Sequence, residues 1–192
     1  MILTIGLDTN MDTLIHILEE LSPMPSDDSP QLTEERLFKY NEVTIQIYNI
    51  IDNSDAGSRD PRFIKPLIRS FGYGDAYESY WPVLHALEKY PLEILRPALI
   101  EAIETGEPGA RMWCVYMLGC QRNPEDTTIL ISALKDKKPK VRFNALVALA
   151  MLGNLSAKPA MEALLEDPDE EVRKKAVECI NALIDKRWVI KK

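Results

Sequence analysis

Histidine, cysteine and glycine are scarce in this chain, with two, three and eight residues respectively among 192. Each scarcity closes off some chemistry. His16 and His85 are not expected to pair with a carboxylate at helical metal spacing, and no H-E-x-x-H string occurs, so no metal centre is anticipated. The stretch "FGYGDAY" lacks the Lys and Ser/Thr that a phosphate-cradling loop needs. Cys114, Cys120 and Cys179 form neither an even set nor a C-x-x-C pair, which fits a reducing cytoplasm better than a disulfide framework. No apolar run approaches the ~20 residues that cross a bilayer. "MILTIGLDTNMD" carries no basic segment ahead of an apolar core, so neither a membrane span nor a secretory signal is expected. With no nucleophile, base or metal cluster in view, the chain reads as a protein without catalytic residues or cofactors, and not as an enzyme.

What is present is apolar and charged in proportions that build a core: 46% hydrophobic and 28% charged residues, with a formal charge of -7. The charge is uneven. Residues 1–107 hold 19 acidic and 8 basic side chains, a net of -11, while residues 108–192 hold 11 and 15, a net of +4. An acidic side repels nucleic acid and attracts a basic protein. Ordinary solvated helix faces are the plainer reading of the same numbers.

A repeat organises the chain from about residue 62 onward. Arg111, Arg142 and Arg173 are 31 residues apart, each near the start of an apolar-periodic segment. Three residues after each come Cys114, Ala145 and Ala176; six after, Met117, Ala148 and Cys179; seven after, Leu118, Leu149 and Ile180. That spacing marks one helix face, filled mostly by small residues where neighbouring helices approach closely. Repeat membership also makes Cys114 and Cys179 small core residues rather than reactive thiols. Ahead of the arginines, "ALIEAIETGEPGAR", "ILISALKDKKPKVR" and "AMEALLEDPDEEVR" align without gaps, each predicting a helix, a turn and a second helix opened by Pro108, Pro139 or Glu170. Pro66, Pro97 and Pro159 share another 31-residue register, with Thr128 standing in once, and extend the ladder to a degenerate first copy in which Tyr80 takes the Arg position.

The strings "LEDPDEEVRKKAVECINAL" and "LKDKKPKVRFNALVALAMLG" resemble the HEAT-repeat family in its short bacterial form, similar to phycobilisome-lyase-like repeats. The resemblance implies an all-α fold: a right-handed α-α superhelix, a HEAT-like solenoid of about four helix pairs at residues 62–92, 93–123, 124–154 and 155–185 with a C-terminal tail. In that family an Asp before the turn and an Arg after it link neighbouring repeats. Asp136/Arg142 and Asp167/Arg173 match the pattern, whereas Thr105 takes the Asp place before Arg111. The forked guanidinium suits the role because it can bridge a carboxylate and a backbone carbonyl together. Nothing in the chain marks a bilin site.

Two helices are expected ahead of the repeats, near Met11–Leu21 and Thr33–Ile51, separated by the loop "SPMPSDDSPQ". Residues 1–61 then form an N-terminal helical cap, since an end repeat must cover apolar surface. At the other end Lys174, Lys175, Lys186, Arg187, Lys191 and Lys192 supply a polar cap.

On each second helix, positions one, two and five past the Arg register point away from the packing face. They read Trp81, Pro82, His85; Met112, Trp113, Tyr116; Phe143, Asn144, Val147; then Lys174, Lys175, Glu178. Large apolar groups there form either an exposed binding strip or packing between repeats and against the cap. The HEAT resemblance implies that this helix lines a concave surface, where aromatic anchors suit an interface. The expected protein-binding set is Tyr80, Trp81, His85, Trp113, Tyr116, Phe143, Asn144 and Val147, rimmed by Asp75, Glu78, Glu88, Glu104 and Glu107. Basic residues do not track along that face, so nucleic acid is not the expected partner.

The resulting expectation is a cytoplasmic, non-enzymatic scaffold that binds another protein, a basic one. Small acidic bacterial proteins of the HEAT type resemble immunity proteins, which implies an inhibitor of a basic, nuclease-like toxin acting by charge complementarity. A general adaptor or assembly chaperone is the alternative, and a HEAT-like enzyme or ligand-binding protein acting on nucleic acid or a chromophore is a second one.

Overall fold

The computed structural model describes residues 10–185, and among these residues it has ten α-helices and no strand. They gather into two compact units, residues 1–102 and 103–192, with the division falling inside one helix.

Unit 1 holds α1 (Met11–Leu21), α2 (Glu34–Asp52), α3 (Ile64–Ser70), α4 (Trp81–Glu88) and most of α5 (Leu92–Thr105). Asn10 and Thr33 start α1 and α2 by accepting from the backbone N–H of Thr13 (2.9 Å) and Arg36 (3.2 Å), which satisfies donors that a helix start leaves unpaired. Apolar periodicity then sets the inward face: Leu14, Leu18 and Leu21 on α1; Tyr40, Val43, Ile47 and Ile51 on α2. Burying each such side chain stabilises the fold by about 1.5–3 kcal/mol. α2 packs on α1 and α4, and α1 packs on α3. The helices expected as a cap thus pack with the helices of the first repeat inside unit 1.

Unit 2 holds the end of α5 with α6 (Pro108–Gln121), α7 (Thr127–Ala133), α8 (Pro139–Leu152), α9 (Lys158–Glu162) and α10 (Glu170–Ile184). Pro108 and Pro139 occupy first-turn positions where a missing N–H costs nothing. Asp169 caps α10 by accepting from the N–H groups of Glu171 (2.9 Å) and Val172 (3.1 Å). Helices α6 and α8 end on left-handed residues, Arg122 and Gly153. Asn123 and Asn154 follow, 31 residues apart, and each opens a short turn by accepting from the N–H two residues on, at 3.1 Å in both copies. Asn154 also donates to the Thr127 hydroxyl at 3.0 Å, tying one repeat to the previous one.

The small-residue face works by close approach. Cys114, Ala145, Ala148, Ala176 and Cys179 are all buried. A Cβ at Gly119 would lie 2.6 Å from both Cα and Cβ of Ala148, so α6 and α8 touch nearly backbone to backbone there.

Candidate functional site

The arginine register is built into the packing. Arg142 donates from Nε (2.7 Å) and Nη2 (2.6 Å) to the two carboxylate oxygens of Asp167, and from Nη1 to the Asp136 carbonyl at 2.8 Å. Arg111 repeats the arrangement with Asp136 (2.7 and 3.1 Å) and the Gly106 carbonyl (2.7 Å). Each arginine thus takes the carboxylate of the following repeat, 25 residues on, and the backbone of its own turn. Where Arg142 takes the carbonyl of Asp136, Arg111 takes that of Gly106, the residue after Thr105. Arg173 ends the series on the carbonyls of Asp167 and Pro168. Asp136 and Asp167 also accept the N–H of Lys138 and Asp169. Burial is the largest single influence and raises both carboxyl pKa values, but the arginine and backbone hydrogen bonds together with the arginine charges outweigh it, and both are lowered.

Within unit 2 the second helices α6 and α8 carry five of the eight expected contact residues. Trp113, Tyr116, Phe143, Asn144 and Val147 are half-buried. The Trp113 and Tyr116 rings meet edge to face, 6.1 Å between centroids. Lys175 Nζ sits 4.9 Å from the centre of the Phe143 ring, a cation–π contact, and 2.5 Å from Glu178. Asn144 is committed elsewhere: its amide donates to the Met112 carbonyl at 3.0 Å and links α8 to α6. Met112 itself is buried. Lys174 pairs with Glu170 and Glu171; Lys186, Arg187, Lys191 and Lys192 lie outside the described residues.

Within unit 1 the expected set divides. Tyr80 is 1% exposed and cannot be a contact residue; its hydroxyl accepts the Gly72 N–H at 2.7 Å, and its ring packs edge-on to Tyr40 and Phe71. Burial pushes its phenol pKa up. A large aromatic with a polar tip holds the loop where the other repeats use Arg. Trp81, by contrast, is 53% exposed and stacks on His85 at 5.2 Å, and His85 Nδ1 lies 3.1 Å from Glu88. His16 likewise reaches Glu20 at 3.4 Å, so both histidines do meet a carboxylate one turn away, on open surface. Asp75, Glu78 and Glu88 are exposed here, as Glu104 and Glu107 are in unit 2. An open cleft of about 490 Å³ lies between α1 and the start of α3, where Arg62 is held by Asp12 and Asp60, each at 2.9 Å.

Cys114 and Cys179 are buried, and desolvation raises both thiol pKa values, Cys179 to about 12. Among the described residues no group of three or more His, Cys, Asp or Glu is placed to hold a metal ion. No described helix is long and apolar enough to cross a membrane.

Residues 127–187, which include the Arg142–Asp167 pair, match the family model of HEAT repeats. This part of the chain is HEAT-like. Among curated proteins similar to this chain, phycocyanobilin lyase subunit alpha of a Picosynechococcus species is 30% identical over 104 residues, which is 50% of this chain and 39% of that protein. The protein of the same name from a Nostoc species is 32% identical over 114 residues, 53% of this chain and 41% of the relative. The chain thus matches about two fifths of the length of each relative. Human deoxyhypusine hydroxylase, solved in complex with glycerol, superposes with a TM-score of 0.55 at 18% identity, covering 90% of this chain and 63% of the human one. That likeness is one of fold. The expectation that the chain is not an enzyme is overturned by these relatives, since both curated proteins are named as subunits of a lyase. An inventory of reactive side chains missed this because the repeats themselves carry the kinship.

Proposed function

We propose that this protein is a binding subunit of an enzyme that handles a bilin or a similar conjugated carboxylate. The observation that carries the reading is the kinship with two phycocyanobilin lyase alpha subunits. The second-helix face of unit 2 supplies suitable chemistry. Trp113, Tyr116, Phe143 and Val147 offer flat apolar area for a conjugated ring system, and Lys175 stands over Phe143 where a ligand carboxylate would find a cation. Cys114 and Cys179 are sealed in the core, so this face contributes binding and orientation. Neither of these two relatives is named for a toxin-inhibiting role, and that reading is not retained.

The test is to add phycocyanobilin to the purified full chain and follow its visible absorbance and induced circular dichroism. A saturable induced signal that falls by ~10-fold in affinity on Trp113→Ala/Phe143→Ala is the expected result, in line with the loss of two aromatic contacts. No induced signal, or one indifferent to both substitutions, overturns the reading.

A further inference from the structure

We propose that the exposed face of unit 1 formed by Tyr77, Trp81, Asp75, Glu78 and Glu88 docks an arginine-bearing segment of a partner protein. The face begins in a loop of unusual backbone. Ala76, Tyr77 and Glu78 are three consecutive non-glycine residues with positive φ, 47°, 54° and 66°. Side chains with a Cβ resist that conformation, so it persists only where the surroundings impose it.

Here they do. The Asp27 carboxylate accepts the N–H groups of Asp75 (3.2 Å) and Ala76 (2.9 Å), and Tyr77 N–H bonds to Asp75 Oδ1 at 2.9 Å. Gly74 lies so close that an added Cβ would come within 2.1 Å of Asp27 Oδ1. Ala76 is fully buried beneath the turn. What this turn achieves is to leave Tyr77 69% exposed beside the N-terminus of α4, where Trp81 is 53% exposed. His85 and Glu88 follow Trp81 on one face of α4, and the imidazole stack at 5.2 Å restrains the indole.

The charge selects the occupant. Residues 71–88 contain three carboxylates and no lysine or arginine. Two open aromatic rings within a field of one sign fit a guanidinium, which lies flat on an aromatic face while its N–H groups reach carboxylates. A strongly hydrated ammonium fits less well, and a neutral side chain gains neither interaction.

The experiment titrates the isotope-labelled full chain with the peptide acetyl-Gly-Arg-Gly-Arg-Gly-amide and with its lysine and citrulline counterparts, following the tryptophan indole signals by NMR. The Trp81 indole signal should move with the arginine peptide, less with lysine and not with citrulline. Tyr77→Ala/Trp81→Ala should weaken binding about 10-fold with unchanged helical circular dichroism. Asp27→Asn should weaken it also, through release of the turn. An unmoved Trp81 signal, equal binding of the citrulline peptide, or undiminished binding to the double variant overturns the proposal. So does sedimentation showing an oligomer of the chain that Trp81→Ala dissociates, which would give the face to a second copy.

Discussion

Arg142 and Asp167 face each other fork to fork, 2.6 and 2.7 Å apart, with side chains only 11% and 4% exposed. The pair joins the α8 hairpin to the next one, and the Asp136 carbonyl occupies the third donor. Breaking such a pair from one side leaves a charge without its partner in a dry place, at a cost of about 3–5 kcal/mol. Arg142→Met and Asp167→Leu should each lower the urea midpoint strongly. The double variant should recover part of the loss, because no orphan charge remains. Additive losses in the double variant would show that the two groups do not act as a pair.

The same geometry sets a pH dependence. Asp136 and Asp167 have folded pKa values below the ordinary carboxyl value; burial opposes this, and the arginine and backbone hydrogen bonds prevail. A depressed folded pKa contributes stability that is fully present above the unfolded value, near ~3.9, and is lost as pH falls through the folded value. Stability should therefore be insensitive to these groups at neutral pH and decline in acid below about pH 4. Asp167→Asn should flatten that acid limb in urea titrations at successive pH values. An unchanged limb would place the acid sensitivity in other carboxylates.

Gly119 provides a prediction of opposite kind, in which an atom is added. Its missing Cβ is what lets α6 meet α8 at Ala148, and the obstacle there includes backbone as well as side chain. Gly119→Ala would ordinarily favour a helix by about 1 kcal/mol. Here overpacking should dominate and destabilise by about 1–3 kcal/mol. Adding Ala148→Gly should restore only part, since the Ala148 Cα remains in the way. A thermal melt in which Gly119→Ala raises the midpoint would contradict the contact.

Much of this arrangement is legible in the chain itself, and its gaps have identifiable causes. Periodicity predicts α1 at Met11–Leu21 and places the second helix start within one residue of Glu34. The 31-residue register marks Arg111, Arg142 and Arg173 as one class, but register gives no direction. The pattern groups each arginine with the aspartate just before it, whereas the carboxylate that each of Arg111 and Arg142 grips lies 25 residues ahead. The sequence groups Tyr80 with exposed residues because a helix-start aromatic looks the same in sequence whether it covers a loop or faces water. Only the Gly72 contact, with no room for a Cβ beside the Tyr80 hydroxyl, distinguishes them. Asn144 is obscured in the same way, since its Met112 acceptor is a backbone carbonyl 32 residues away, which no side-chain pattern reports. Trp81 and Tyr77 are exposed, and the left-handed turn that presents them carries no glycine at the three positions where glycine would have signalled it.

The thiols give a direct measure of how tightly the small-residue face is closed. Cys114 and Cys179 are buried, and desolvation is the leading cause that lifts both above the ordinary thiol value, Cys179 to about 12. A thiolate is the reacting form, so both should be nearly inert to iodoacetamide in the folded protein at pH 8. Cys120, half-buried at the end of α6, should be alkylated first. Mild urea should leave that order unchanged until the main unfolding transition, where Cys114 and Cys179 become reactive together, as expected if α6, α8 and α10 open as one cooperative body. Labelling of Cys179 well before Cys114, read by peptide mass mapping, would show instead that α10 opens on its own and that the Arg142–Asp167 rung does not bind it to α8.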